Sequence, residues 1–237
     1  MMTVQPGDEI GHVHQDVSGG WLRPAVFGAM DGLVTNIALI AGVGASGAGA
    51  HLIVLTGMAG LVAGAFSMAL GEYASVETQN DQVRAEVKME RDELRRHPAA
   101  EQAELVSSYV QMGLTRETAK RVAAEVHANP SLAVRVHINH ELGVNPDDQP
   151  SPWVAAGSSF LCFAIGALVP LIPYLLGFAS LLMGLAAGAG GLFVAGGLSS
   201  RFTTRPWWLG GLRQVVFGAI AAVATYLVGA LIGVGAR

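Results

Sequence analysis

Glu86, Glu90, Glu93 and His97 recur at i, i+4, i+7 and i+11, which places them in one stripe on a helix. Arg84, Lys88, Arg91 and Arg95 follow the same spacing two residues earlier, about 200° around the axis. A solvated helix gains from opposite charges at i, i+4, and like pairs cost a few tenths of a kcal/mol each. Asp92 has Lys88 and Arg96 at pairing distance in sequence; the glutamate stripe has no such partners and calls for a cation. Glu101 and Glu104, just past Pro98, are placed to fold back and face it, and His137, His140 and Glu141 form a one-faced cluster further on. Carboxylate oxygen and imidazole together suit Fe²⁺, Mn²⁺ and Zn²⁺. Spacing alone leaves a second reading open, a salt-bridged acidic helix in water. Another set raises a different question: Asp31, Met68 and Glu72 interrupt stretches that are otherwise small and apolar.

Composition indicates what must position these groups. The chain has 237 residues, 51% apolar, with 31 glycines, the profile of an integral membrane protein. Pro24 to Ala45 and His51 to Ser75 are apolar apart from Asp31 and Glu72, and Gln149 to Ser200 carries no charge in 52 residues. A crossing needs only about 20 residues, so the last stretch is two spans, turned near Pro170, Pro173 and Gly177. Gln214 to Ala236 is the fifth. Residues 77–150 hold 13 acidic and 9 basic side chains, and the rest of the chain 5 of each, so a polar insert separates spans two and three. The chain divides into a polar tail (1–22), spans one and two (23–76), the insert (77–150) and spans three to five (151–237). With the N-terminus and insert in the cytoplasm, thirteen of the fourteen basic residues lie inside, the orientation that basic loops favour.

No glycine or proline occurs between Gly71 and Pro98, which predicts that the second span continues as one helix roughly 35 Å beyond Tyr73. Three shorter helices are expected after it: about 99–112, one capped by Thr115 and ending near His127, and one from Asn129-Pro130 to Gly143. Pairs of small residues at i, i+4 (Gly28 and Gly32, Gly60 and Gly64, Gly184 and Gly188, Gly229 and Gly233) allow close backbone approach, in a bundle or across a dimer. Trp153, Trp207 and Trp208 read as interfacial anchors. His12 and His14 belong to a polar tail, and Cys162 has no second cysteine to pair with.

The stretches "MDGLVTNIALIAGV", "GLVAGAFSMALGEYASVETQND" and the glutamate pairs ahead of "HINHELGV" resemble the vacuolar iron transporter family. The resemblance runs from Arg23 to the C-terminus. It implies an all-α fold with five transmembrane helices, a cytoplasmic helical metal-binding insert between helices two and three, a homodimer, and transport of Fe²⁺ or Mn²⁺ coupled to protons. It also implies roles: Asp31 and Met68 match the intramembrane metal path, Glu72 lies in the "GEY" motif, and Glu90, Glu93, Glu101, Glu104 and Glu141 match the metal-binding glutamates of the insert. His137 stands where some members have methionine, and His140 where relatives are often acidic.

With that context, a carboxylate inside a span, costing on the order of 2.5–3.5 kcal/mol, is expected to face a pathway. The soft thioether of Met68 holds Fe²⁺ weakly, which favours release, and conduction needs sites that fill and empty. The alternative for Asp31 is a hydrogen bond to Thr35 or Asn36, and for Glu72 a place at the interface. If His137 and His140 join Glu141 as ligands, binding weakens as pH falls from about 7.5 to 6, and Zn²⁺ or Co²⁺ competes better than at an all-oxygen site.

The sequence is therefore expected to encode a homodimeric exporter of Fe²⁺ and/or Mn²⁺ working against protons, not an enzyme. It would lie in the cell membrane if bacterial and in the vacuolar membrane if eukaryotic, with no nucleic-acid partner. A membrane-anchored protein that sequesters iron without transport is the competing reading. Gly44-Ala45-Ser46-Gly47 with His51 resembles a serine protease motif, but both residues fall in one short loop, with no rigid scaffold to hold a base to the serine.

Overall fold

A computed structural model describes residues 20–146, 148–202 and 206–235, so His12 and His14 lie outside the described residues. Every regular element among the described residues is helical, and five helices are long and apolar enough to cross a membrane. The elements are α1 (Leu22–Ala45), α2 (Ala50–Arg96), α3 (Pro98–Gln111), α4 (Arg116–His127), α5 (Pro130–Leu142), α6 (Pro152–Leu168), a 3₁₀ turn, α7 (Ile172–Leu175), α8 (Leu181–Ser199), a second 3₁₀ turn and α9 (Trp207–Gly235).

As expected, α2 is one uninterrupted helix of 47 residues, about 70 Å long. It stops at His97, because the residue before a proline is pushed out of the helical region; His97 has φ −130° and ψ 45°. Pro98 then opens α3 at a position where its missing N–H costs nothing. Thr115 caps α4 by accepting the Thr118 N–H at 3.3 Å, and Asn129 caps α5 through the N–H groups of Ser131 and Leu132. Gly143 ends α5 with φ 66°, a left-handed conformation that glycine adopts without strain.

Of the three residues expected at the turn after the third span, only Gly177 makes it. Pro170 and Pro173 do not turn the chain; each sits in the first turn of a new helical segment, 3₁₀ and then α7, where its lack of a donor is tolerated. The reversal falls at Gly177, with φ 91°. Helix α9 also begins earlier than the hydropathy pattern implies, at Trp207 rather than Gln214.

Helix α1 is the hub of the spans, packing on α2, α6, α8 and α9. Its glycines permit this. A methyl group on Gly28 would meet the Ser159 carbonyl oxygen at 2.6 Å, and one on Gly32 would overlap the Phe163 carbonyl. Gly229 and Gly233 of α9 lie as closely against the backbone of Gly42 and Ser46. Gly60 abuts the Leu39 side chain, Gly64 the Phe163 ring, Gly184 the Tyr174 ring and Gly188 the Ile37 side chain. All four small-residue pairs thus serve helix packing within this chain. Asn36, fully buried on α1, donates to the Ala167 carbonyl of α6 at 2.5 Å.

Outside the spans, α3, α4 and α5 pack around Leu105, Ala123, Val126 and Ala133, with Leu94 of α2 against them. This small core ties the insert to the projecting end of α2. Nearer the spans, Asn80 of α2 donates to the Pro150 carbonyl at 3.0 Å, and the Tyr73 ring packs at a tilt against Trp153 with centroids 4.8 Å apart. Among the described residues, the Ser46 hydroxyl donates to the Val43 carbonyl at 2.7 Å, a backbone acceptor and not a base, and His51 is exposed.

Candidate metal centre

Three helices deliver the polar groups of the insert to one point. Glu90 comes from the last turns of α2, Glu101 from the first turn of α3, and His137 and Glu141 from one face of α5. The break at His97–Pro98 folds α3 back along α2 and carries Glu101 to Glu90. His137 Nδ1 lies 3.2 Å from Glu90 Oε1, 3.6 Å from Glu101 Oε2 and 3.7 Å from Glu141 Oε1. Glu90, Glu101 and His137 each offer one ligand atom within 4.8 Å of the others. His137 is 2% exposed and Glu90 8%.

Burying several carboxylates together costs free energy unless something compensates. Burial, reinforced by the charges of Glu141, Glu101, Glu104 and Glu93, pushes the Glu90 carboxyl up to about 7. Burial also raises Glu101 and Glu141, with Glu104 the main neighbouring charge on both. His137 is driven below the usual imidazole range, again chiefly by burial, against the pull of Glu104. Burial outweighs the adjacent carboxylates, so the ring is a neutral hydrogen-bonding partner, not a cation. Glu90 Oε1 is buried without a hydrogen bond of good geometry. An orphaned buried oxygen calls for an explanation, and a cation supplies one.

The predicted residues do not all converge. Glu104 is exposed and acts on the cluster through its charge, while Glu93 stands 3.9 Å from His97 Nε2. His140 is exposed. One participant escapes sequence reasoning: His127, at the end of α4, sets its Nε2 3.2 Å from His137 Nε2. No spacing rule links residues on two helices joined by a turn, so only folding reveals this pair.

The residues in the spans remain separate. Asp31, half-buried on α1, accepts from the Thr35 hydroxyl at 3.3 Å, one of the partners its sequence allows. Met68 packs against the cluster of Ala65, Phe163 and Ala167. Glu72 is half-buried, and neither it nor Asp31 joins a group of three metal-ligating side chains among the described residues. Met68 therefore has a packing role whether or not it meets an ion, and Met68→Leu separates the two by keeping volume and removing sulfur. We expect this variant to fold normally and to slow Fe²⁺ flux or shift the Fe²⁺/Mn²⁺ preference in vesicle assays. Unchanged rate and preference would assign Met68 to packing alone.

An all-helical chain with five membrane-length helices, a long helix leaving the spans, and a buried carboxylate–imidazole cluster at its far end defines a class: a polytopic membrane protein that gathers potential metal-ligating groups outside its spans. The model of the VIT family matches residues 22–230, and the chain belongs to that family, whose members are transporters and not enzymes. The chain is 33% identical to a vacuolar iron transporter of Acanthamoeba castellanii over 235 residues, 93% of this chain and 83% of that protein. It is 31% identical to vacuolar iron transporter 1 of Oryza sativa subsp. japonica over 214 residues, 88% and 84% of the two chains. Vacuolar iron transporter 1 of Arabidopsis thaliana is 29% identical over 219 residues, 88% and 85%.

Proposed function

We propose that this protein carries divalent metal, Fe²⁺ and/or Mn²⁺, out of the cytoplasm in exchange for protons, with its N-terminus and residues 77–150 on the cytoplasmic side. The observation that carries this reading is the cluster of Glu90, Glu101, His137 and Glu141 at the end of a helix that runs uninterrupted from the spans. Such a cluster gathers ions from a dilute pool, and Glu93 and Glu104 lend it charge at the rim. Zn²⁺ and Co²⁺ are candidate competitors because imidazole supplements the oxygen ligands. Within the spans, Asp31, Met68 and Glu72 are the groups assigned to the path, on the argument that a carboxylate among apolar helices is costly unless it meets a cation. The names of the relatives support iron as cargo, and family resemblance supports a homodimer.

The deciding experiment is reconstitution of the full chain into vesicles with an acidic lumen and metal outside. A proton-coupled exporter fills the lumen with Fe²⁺ or Mn²⁺ well beyond one protein equivalent, and slows when the pH gradient is collapsed. Uptake that stops at the protein's own binding capacity would instead establish a membrane-anchored sequestering protein. Uptake indifferent to the gradient would remove proton coupling.

A further inference from the structure

We propose that His127 is a positioning residue for the metal centre: it fixes which nitrogen of His137 meets the ion. This inference rests on the assignment of Glu90, Glu101 and His137 as the ion's ligands. The two nitrogens of His137 face different surroundings. Nδ1 points to three carboxylates, at 3.2, 3.6 and 3.7 Å, and Nε2 to His127 Nε2 at 3.2 Å. The rings meet edge-on, with centroids 5.3 Å apart and planes at 70°. Of two imidazole nitrogens at hydrogen-bond distance, one must carry a proton and the other must not. The pair therefore has two neutral arrangements.

Without metal, His137 keeps its proton on Nδ1, the nitrogen that faces the carboxylates, and His127 Nε2–H donates to His137 Nε2. With metal on His137 Nδ1, that nitrogen has no proton, so His137 carries its proton on Nε2 and donates it to His127. The proton balance closes with both rings neutral in both states. One proton leaves His137 Nδ1 on the carboxylate side, one passes from His127 Nε2 to His137 Nε2, and one enters His127 Nδ1 from water. Access for that last proton is available, because His127 also lines a cavity of about 690 Å³ on the side of α2 that carries Arg91 and Arg95.

A ligand imidazole that donates its second N–H to a fixed acceptor is held in orientation and made more basic. Carboxylate or carbonyl usually accepts; here a second imidazole does. His127 suits the task because its Nε2 lies 3.2 Å from His137 Nε2, and an imidazole nitrogen without a proton can accept. A lysine or an arginine could not accept this bond, and a phenyl ring would fill the space without doing so.

The test uses the full-length protein in detergent, with Zn²⁺ as a diamagnetic probe and ¹⁵N-labelled histidine. On Zn²⁺ loading, His137 should move from its Nδ1–H to its Nε2–H form, and His127 from Nε2–H to Nδ1–H. His127→Phe should weaken Zn²⁺ binding about 10- to 100-fold, the usual loss for such a supporting group. His127→Gln, whose amide oxygen accepts, should restore binding to within about threefold of the natural protein. A His127 tautomer that does not change on loading, or a His127→Phe protein that binds Zn²⁺ like the natural one, would overturn the inference. So would a His127→Gln protein that binds no better than His127→Phe. Glu90→Gln and His137→Phe serve as controls on the underlying site. If both bind Zn²⁺ normally, the ligand assignment itself fails; if both lose binding and His127→Phe does not, only the role of His127 falls.

Discussion

Glu90→Gln is expected to stabilise the metal-free protein while destroying the proposed metal site. In the natural chain Glu90 keeps its proton up to about 7, against 4.5 for a free carboxyl. Unfolding releases that proton between these two pH values, so stability falls as pH rises from about 4.5 to 7 and is then constant. The displacement corresponds to on the order of 3 kcal/mol at pH 8. Glutamine has the shape of the protonated acid and bears no such cost. Denaturant unfolding of the metal-free full chain should therefore show the variant more stable by up to that amount at pH 8, and little different near pH 4.5. Because His127 and His137 are present in both proteins, their own pH dependence cancels in the comparison.

The same substitution removes an anionic oxygen from the buried end of the site, and metal affinity should drop at least about 100-fold, roughly 2.7 kcal/mol. A gain in stability paired with a loss of binding marks a residue kept for function rather than folding. Glu90 also takes over a role that spacing assigns to His137. With His137 already neutral, the proton that competes with metal between pH 8 and 6 sits on Glu90. Calorimetric affinities should weaken over that interval in the natural protein and in His137→Met, and flatten in Glu90→Gln. A flat profile in His137→Met instead would return the competition to the histidine.

Asp31→Asn should lower metal flux through vesicles at least about 100-fold, a barrier increase of roughly 2.7 kcal/mol, while leaving binding by the insert unchanged. The amide keeps the shape of Asp31 and the Thr35 hydrogen bond, so folding is preserved and only the charge is lost. Among the described residues, one hydroxyl at 3.3 Å donates to this carboxylate, which leaves it lone pairs for an ion. Normal flux in a folded Asp31→Asn protein would show that Asp31 is a structural group, satisfied by Thr35.

Much of the architecture was legible because it follows from local rules. The length of α2 comes from the absence of any breaker between Gly71 and Pro98, and its stop from the proline itself. The cap at Thr115, the start after Asn129-Pro130 and the stop at Gly143 were placed by residue type. The turn after span three falls at Gly177, one of the three residues expected to form it, while Pro170 and Pro173 open helical segments, where proline costs little; only context tells a starting proline from a breaking one. Likewise, hydropathy did not mark the start of α9, where Trp207 and Trp208 extend the helix beyond its most apolar part.

The candidate site divides along the same line. Sequence by itself determined that glutamates line one face of a long helix, that Glu101 follows a proline break, and that His137 and Glu141 share a face, since these are properties of helical periodicity. Tertiary structure alone decided which of them meet: Glu90, Glu101 and His137 converge, Glu104 stays at the rim, and His127 joins from a helix whose spacing predicts nothing of it. It also decided the charge states. A pKa near 7 for Glu90 and a neutral His137 arise from burial among groups distant in sequence, and desolvation has no signature in a linear pattern of residues.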